Sequence, residues 1–225
     1  HFGSDQLVKC IHHLRGNPDS RQAVIQMWDA EDLCKETIDK ACNTQIIFSQ
    51  GKGKLLDMTV FNRSNDIWWG AYGANAVHFS FLHEFISRSV GMRLGEYRQV
   101  SNNFHFYTDL YDVSTYLDSP PDTSDYDHYR RDVSPYPIMD NMDYKGFLEE
   151  CERFCDDPFQ MGSTDVASGY KKYKHAFFTD VAIPMAKISQ ERALINGSDG
   201  LEQAATIKAE DWRLAVEQWI KRRQK

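Results

Sequence analysis

The sequence lacks any apolar run near the ~20 residues that a membrane-spanning helix needs, and its opening residues, His1-Phe2-Gly3-Ser4-Asp5, contain no signal peptide. Those polar first residues read as the interior of a longer protein rather than as its start. Positive charge is not in excess: 26 Lys and Arg stand against 33 Asp and Glu, for a formal net charge of -7. A face for long nucleic acid is therefore not expected, although a single phosphate needs only a local Arg cluster. Cysteine is sparse and scattered. Cys10, Cys34, Cys42, Cys151 and Cys155 make an odd number without a disulfide-like spacing, which points to a reducing, cytoplasmic setting. Cys151 and Cys155 share a helix face but have no CxxC or HxxxH partner, so no metal site is expected. There are no internal repeats. Disorder is excluded by the 13% of aromatic residues, and 225 residues suit one large domain or two small ones.

Hydrophobic periodicity predicts a first helix over Ser4–Arg15, with Leu7, Val8, Ile11 and Leu14 on one side. The turn Asn17-Pro18-Asp19-Ser20 stops it, and Ala23–Trp28 reads as a short strand. Gln45–Gln50 and Lys54–Phe61 read as two strands joined by a Gly51-Lys52-Gly53 hairpin, with Leu56, Met58 and Val60 on one face. Gly70–Gly73 breaks the pattern before a helix over Asn75–Val90, and a further strand is expected near Tyr97–Val100. Asp112–Asp140, rich in Pro, Asp, Ser and Tyr, reads as irregular and exposed. The remainder reads as helical, over Tyr144–Cys155, Gly169–Ser189 with a kink at Pro184, and Lys208–Arg223.

Several residues in the first half carry chemistry-bearing groups. Cys42 precedes a strand; it is either an inert small hydrophobe or a nucleophile, and a thiol attacks as the thiolate that nearby positive charge favours. Arg63 is the cation that a folded hairpin brings back toward it. Arg63-Ser64 offers a guanidinium fork and a hydroxyl suited to a phosphate monoester, or else a solvated rim charge. Asp66 either accepts from a ring amide or caps the following turn. Asn75 is either a helix cap or a reader of a lactam edge such as uracil N3–H and O4. His105 and Tyr107 lie on one face of an extended segment, where both can hold one sugar hydroxyl or simply face water. Arg21 offers a second phosphate charge, and Trp68-Trp69 either wall a flat-ring pocket or pack in the core.

Taken together, Asn17-Pro18-Asp19-Ser20-Arg21, Ala41-Cys42, Arg63-Ser64-Asn65-Asp66 with Gly70, Asn75, and His105-Phe106-Tyr107 resemble the thymidylate synthase superfamily, which includes viral (bacteriophage) deoxypyrimidylate hydroxymethylases. The resemblance covers about Gly3–Asp109. It implies an α/β (α+β) three-layer fold with a twisted mixed sheet and a helical C-terminal region, working as a homodimer whose sheets pack together. Residues 1–110 would form the catalytic core, with its N-terminal part missing, and 111–225 an irregular segment plus helices of the same domain. It further implies that Cys42 adds to C6 of a pyrimidine deoxynucleoside monophosphate, making C5 nucleophilic toward the one-carbon unit of 5,10-methylenetetrahydrofolate. Arg63 and Ser64 would bind the 5'-phosphate, and Arg21 the phosphate in the neighbouring subunit. His105 and Tyr107 would hold the 3'-hydroxyl, and Asp66 and the backbone near Gly70 would face the folate. The chain departs from the family pattern at Asn43 (usually His), at Gln22 (usually Arg), and by one extra residue between Gly70 and Asn75. That extra residue leaves Ala74 as the other candidate for the base-reading position.

Asn65 and the unfamiliar C-terminus favour hydroxymethylation over methylation, and Asn75 favours dUMP over dCMP. Thymidylate synthase proper is the alternative product outcome. A catalytically silent nucleotide-binding relative, or a helical interaction module built on the Trp212 and Trp219 face, are alternatives of other classes.

Overall fold

The computed structural model describes residues 5–37, 40–110, 112, 114, 132–156, 173–190 and 199–223. The chain divides into two compact units, His1–Pro120 and Pro121–Lys225. Most of the expected irregular segment Asp112–Asp140 and the start of the helix expected from Gly169 lie outside the described residues.

In the first unit, helix α1 (Gln6–Gly16) begins at the Asp5 side chain, which accepts from Leu7 N, and buries Cys10, Ile11 and Leu14. Strands β1 (Val24–Gln26), β2 (Asn43–Gln50), β3 (Leu55–Asp66) and β4 (Arg93–His105) lie side by side in that order. The first two pairings are antiparallel and β3–β4 is parallel, so the sheet is mixed. Alternation along β3 drives Leu56, Met58 and Val60 into the core beside Ile46 and Phe48 of β2, all at most 1% exposed. Helix α2 (Asn75–Val90) covers that face with Phe79, Phe85 and Ile86 and ends at Gly91, whose φ of 71° serves the left-handed cap. His83 reaches from α2 into the sheet and donates from Nε2 to Leu56 O at 2.6 Å. On the opposite face Val24 and Val100 remain exposed.

One expectation gains detail and another changes. The break after β3 is a kink at Gly73 (φ -110°, ψ -119°) within Ile67–Ala74, which otherwise winds as a wide π-helical turn before α2, with Asn75 N donating to Gly70 O five residues back. Gly73 permits this, because a Cβ there would stand 2.2 Å from Trp68 O. The strand expected at Tyr97–Val100 extends over thirteen residues, since parallel pairing runs along β3 from Leu55↔Arg93 to Asp66↔His105. Its outward positions are mostly polar and its asparagines poor strand formers, so only the ladder holds its ends.

In the second unit, helices α3 (Tyr144–Asp156), α4 (Ile183–Gln190), α5 (Asp199–Ala204) and α6 (Glu210–Arg223) are described. Val181, Ile188, Ala204, Ile207, Val216 and Ile220 form its core, with Trp212 and Trp219 packed against it. A π-helical turn, Phe178–Ala182, precedes the expected irregularity at Pro184. Proline has no N–H for the carbonyl four residues back, and Asp180 O instead accepts from Lys208 N at 3.1 Å. Among the described residues no helix is long and apolar enough to cross a membrane.

Candidate active site

Parallel strands β3 and β4 end together, so Arg63–Asp66 and His105–Tyr107 emerge at one edge of the sheet. Ligands in open sheets with parallel strands favour such carboxyl ends. Antiparallel pairing brings the start of β2 to the same edge: Asn43 faces Asn62, and Arg63 N donates to Cys42 O at 2.9 Å. A bulge between Asn43 and Gln45 turns the preceding residues outward, and Cys42 is exposed.

The guanidinium of Arg63 reaches back over that loop. Its Nε donates to Ala41 O at 3.0 Å, and its Nη2 donates to Lys40 O at 2.8 Å and to Cys42 Sγ at 3.8 Å. Trp28 lies beneath it, 5.5 Å from ring centroid to Cζ. The arginine thus clasps the cysteine loop while setting a positive charge beside the sulfur. The Nε–Nη2 edge read as a phosphate fork is engaged by two carbonyls instead, because loop and arginine sit on neighbouring strands and the loop's carbonyls point at it.

Ser64 and His105 meet at 3.5 Å between Oγ and Nδ1, and His105 and Tyr107 pack edge to face at 5.0 Å between ring centroids. Asp66 caps the wide turn: its Oδ1 accepts from Trp69 N at 2.6 Å. Its Oδ2 is buried without a hydrogen-bond partner, a state shared among the described residues only by His175 Nε2. Beside this orphaned acceptor the turn exposes Trp68, Trp69 and Tyr72. Gly70 sits tightly against Asn65 and Asn75.

Asn75 lies at the start of α2 and donates from Nδ2 to Asn65 Oδ1 at 3.0 Å; it is not a side-chain cap. Arg21 is exposed and not part of this grouping. Its turn lies at the other end of β2, where Gln50 Nε2 donates to Asp19 Oδ1 at 2.5 Å. Some eight strand residues, on the order of 25 Å, separate that end from Cys42. Two clefts, of about 600 and 570 Å³, lie at the hairpin end, lined by residues such as Asp57, Arg98, Lys54 and Arg93.

Sequence reasoning missed the polar interior beneath the site. Asn43 Nδ2 donates to Asn62 Oδ1 at 2.5 Å, Asn62 Nδ2 to Ser101 Oγ at 3.4 Å, and Asn65 Nδ2 to Ser101 Oγ and Gln99 Oε1, each at 3.0 Å. The available signal was Asn62 itself, which continues the apolar positions 56, 58 and 60 with a buried amide.

A sequence model described as thymidylate synthase matches residues 1–124. The deoxyuridylate hydroxymethyltransferase of Pseudomonas phage M6 is 41% identical over 234 aligned residues, covering 99% of this chain and 64% of that protein. The similarity therefore extends well beyond Asp109, where the motif resemblance ended. The deoxyuridylate hydroxymethyltransferase of Bacillus phage SP01 is 37% identical over 109 residues, covering 48% of this chain and 28% of that protein. The thymidylate synthase of Listeria monocytogenes serotype 4a (strain HCC23) is 30% identical over 103 residues, covering 46% of this chain and 32% of that one. This chain spans just under two thirds of the length of the first relative and about a third or less of the other two. The matched region, which holds more than half of the chain and all the site residues, decides the grouping: the chain belongs to the thymidylate synthase family.

Proposed function

We propose that the protein transfers a one-carbon unit to C5 of dUMP through a covalent Cys42 adduct and releases the 5-hydroxymethyl product. The single observation that carries this reading is the exposed Cys42 sulfur held 3.8 Å from the guanidinium of Arg63. The likeness to the two phage proteins named deoxyuridylate hydroxymethyltransferase favours dUMP and the hydroxymethyl product over methylation.

In this mechanism Cys42 adds to C6 and the ring's electron pair moves to C5, where the neighbouring carbonyl spreads the charge. C5 then forms the new carbon–carbon bond to the donated methylene; the C5 proton passes to a base and the bond from that methylene to its carrier nitrogen breaks, which leaves an exocyclic methylene on C5. Water adds to this methylene, and expulsion of the Cys42 sulfur restores the C5–C6 double bond. Arg63 steadies the negative sulfur and presents its remaining Nη1 side, with Ser64, to the 5'-phosphate. His105 and Tyr107 hold the 3'-hydroxyl, and Asn75 reads the base edge. Positioning of this kind, rather than any single strong contact, supplies much of the rate.

The one-carbon unit comes from 5,10-methylenetetrahydrofolate, which supplies it at the oxidation level of formaldehyde. The residues present fit such a cofactor. Asp66 Oδ2 is a buried acceptor without a donor, matched to a ring N–H, and the exposed indoles of Trp68 and Trp69 offer flat walls beside the Gly70 backbone. Arg21, remote from its own Cys42, serves the phosphate of a second copy across the uncovered sheet face, so the working form is a homodimer. In this reading residues 1–110 carry the chemistry, and 111–225 belong to the same enzyme. Five free thiols suit a reducing cytoplasm, where the nucleophile stays available.

Incubation with methylenetetrahydrofolate and either dUMP or dCMP, followed by mass analysis of the nucleotide, tests the reading. 5-Hydroxymethyl-dUMP with release of tetrahydrofolate is the expected result. Formation of dTMP with dihydrofolate overturns the hydroxymethyl assignment, and exclusive turnover of dCMP overturns the base.

A further inference from the structure

The amides under the site form a line whose direction is fixed from one end. Gln99 Nε2 donates to the backbone oxygen of Ala71 at 2.9 Å. A backbone carbonyl can only accept, so Gln99 must turn its nitrogen to Ala71 and its oxygen away. That oxygen meets Asn65 at 3.0 Å, which requires the Asn65 nitrogen there and the Asn65 oxygen on the far side. The second hydrogen of the Asn65 amide goes to Ser101 Oγ at 3.0 Å. The Asn65 oxygen faces Asn75 at 3.0 Å, so the atom it meets must be Asn75 Nδ2. Reversing any one amide would set donor against donor or oxygen against oxygen. Asn65 is only 2% exposed, and Gly70 closes on it so tightly that a Cβ there would stand 2.2 Å from Asn65 Oδ1. Among the described residues Asn75 Oδ1 has no hydrogen-bond partner, and Asn75 is half-buried at the mouth of the site.

The wide turn carries the chain from Gly70 into α2, and the side chain engaged with Asn65 is Asn75, while Ala74 has no polar side-chain atom to offer.

We propose that Asn65, itself oriented by Gln99 and Ser101, is a positioning residue that locks the Asn75 amide with its oxygen toward the ligand, and thereby selects a pyrimidine with N–H at ring position 3 over one with a bare nitrogen there. This rests on the reading of the site as a pyrimidine nucleotide site. Uracil presents N3–H to the fixed oxygen. Cytosine presents a lone pair to it, and the lock prevents Asn75 from turning its nitrogen round to compensate. A site that fixes its hydrogen-bonding atom rejects the mismatched analogue far better than one that can adapt.

The test is equilibrium binding of dUMP and of dCMP to the full chain and to Asn65→Ala, Asn65→Asp and Gln99→Leu, with thermal melting as the check on folding. The native protein is expected to bind dUMP at least about tenfold more tightly than dCMP, and Asn65→Ala to shrink that ratio by about tenfold through freeing Asn75. A purely structural loss would weaken both nucleotides alike and leave the ratio unchanged. Asn65→Asp keeps an acceptor opposite Asn75 Nδ2 but sets an oxygen against Gln99 Oε1, so it is expected to retain only part of the native preference. Gln99→Leu loosens the same lock from its far end and decides the matter if Asn65→Ala does not fold. A ratio within about twofold of native in every folded variant among Asn65→Ala and Gln99→Leu overturns the proposal. So does a native protein that binds dCMP as well as dUMP, which leaves the pyrimidine-nucleotide reading standing. Binding of neither nucleotide by the native protein overturns that reading and the lock's role with it.

Discussion

Replacing Gly70 by alanine is the sharpest probe of how the site is built. An added Cβ would stand 2.2 Å from Asn65 Oδ1, 3.3 Å from Asn65 Cγ and 3.2 Å from Asn75 Nδ2. The oxygen cannot retreat easily, because Asn65 is held on its other side by Gln99 and Ser101. Overpacking of a filled interior costs about 1–3 kcal/mol, and separating Asn65 from Asn75 strands a buried amide oxygen at about 1–3 kcal/mol. The two effects share atoms and are not additive, so the expected loss is about 2–4 kcal/mol. For a chain of this size that lowers the melting temperature by roughly 5–15 °C. Gly16→Ala is the matched control: nothing lies within 4 Å of the added carbon, and a change below about 1 kcal/mol is expected. Thermal and urea unfolding of the two variants beside the native chain measures both numbers. A Gly70→Ala protein that melts within about 2 °C of native would refute the close-packed amide line, since a shift that small corresponds to less than about 1 kcal/mol.

Cys42→Ala is expected to lose essentially all turnover while still binding dUMP; appreciable product formation by the pure variant would remove Cys42 from the mechanism. On the uncovered sheet face Val24 pairs with Ile47, and Phe61 with Val100. Val24→Asp combined with Val100→Asp should convert a dimer to monomer in light scattering and abolish activity if Arg21 serves the second copy, whereas an unchanged mass would refute the sheet-to-sheet dimer. Burial holds the imidazole of His83 below its ordinary 6.5, against the opposing pull of the Leu56 carbonyl. The unfolded chain therefore takes up this proton at a higher pH than the folded one, so the His83 contribution is complete above about pH 6.5 and is lost as pH falls toward the folded value. Urea midpoints between about pH 7.5 and about pH 5.5 should fall more steeply for the native protein than for His83→Phe, and equal slopes would refute this assignment.

Much of the architecture was legible from pattern alone. Alternation at Leu56, Met58 and Val60, the Gly51–Gly53 turn and the helical spacing from Asn75 to Val90 are local signals, and local signals set those elements. The site was legible in part. Cys42 and Arg63 were paired by the simple consequence of a hairpin, and Ser64, His105 and Tyr107 do converge. Strand β4 was read too short because its ends depend on the parallel ladder with β3, a contact made across some forty positions of sequence. The break read at Gly70–Gly73 is there as the kink at Gly73, but the π-helical winding around it was not legible, because a one-residue widening leaves no mark in apolar periodicity.

What the sequence determined by itself, then, is the inventory of reactive groups and the faces they occupy, since side-chain chemistry and the periods of helix and strand are properties of neighbouring residues. Only the tertiary structure decided which atoms of those groups are available. Arg63 turns its Nε–Nη2 edge to the carbonyls of Lys40 and Ala41, and Asn75 gives its nitrogen to Asn65. Hydrogen-bond partners are chosen by whatever the fold brings within 3 Å or so, and a donor already engaged inside the protein is not free to bind a ligand.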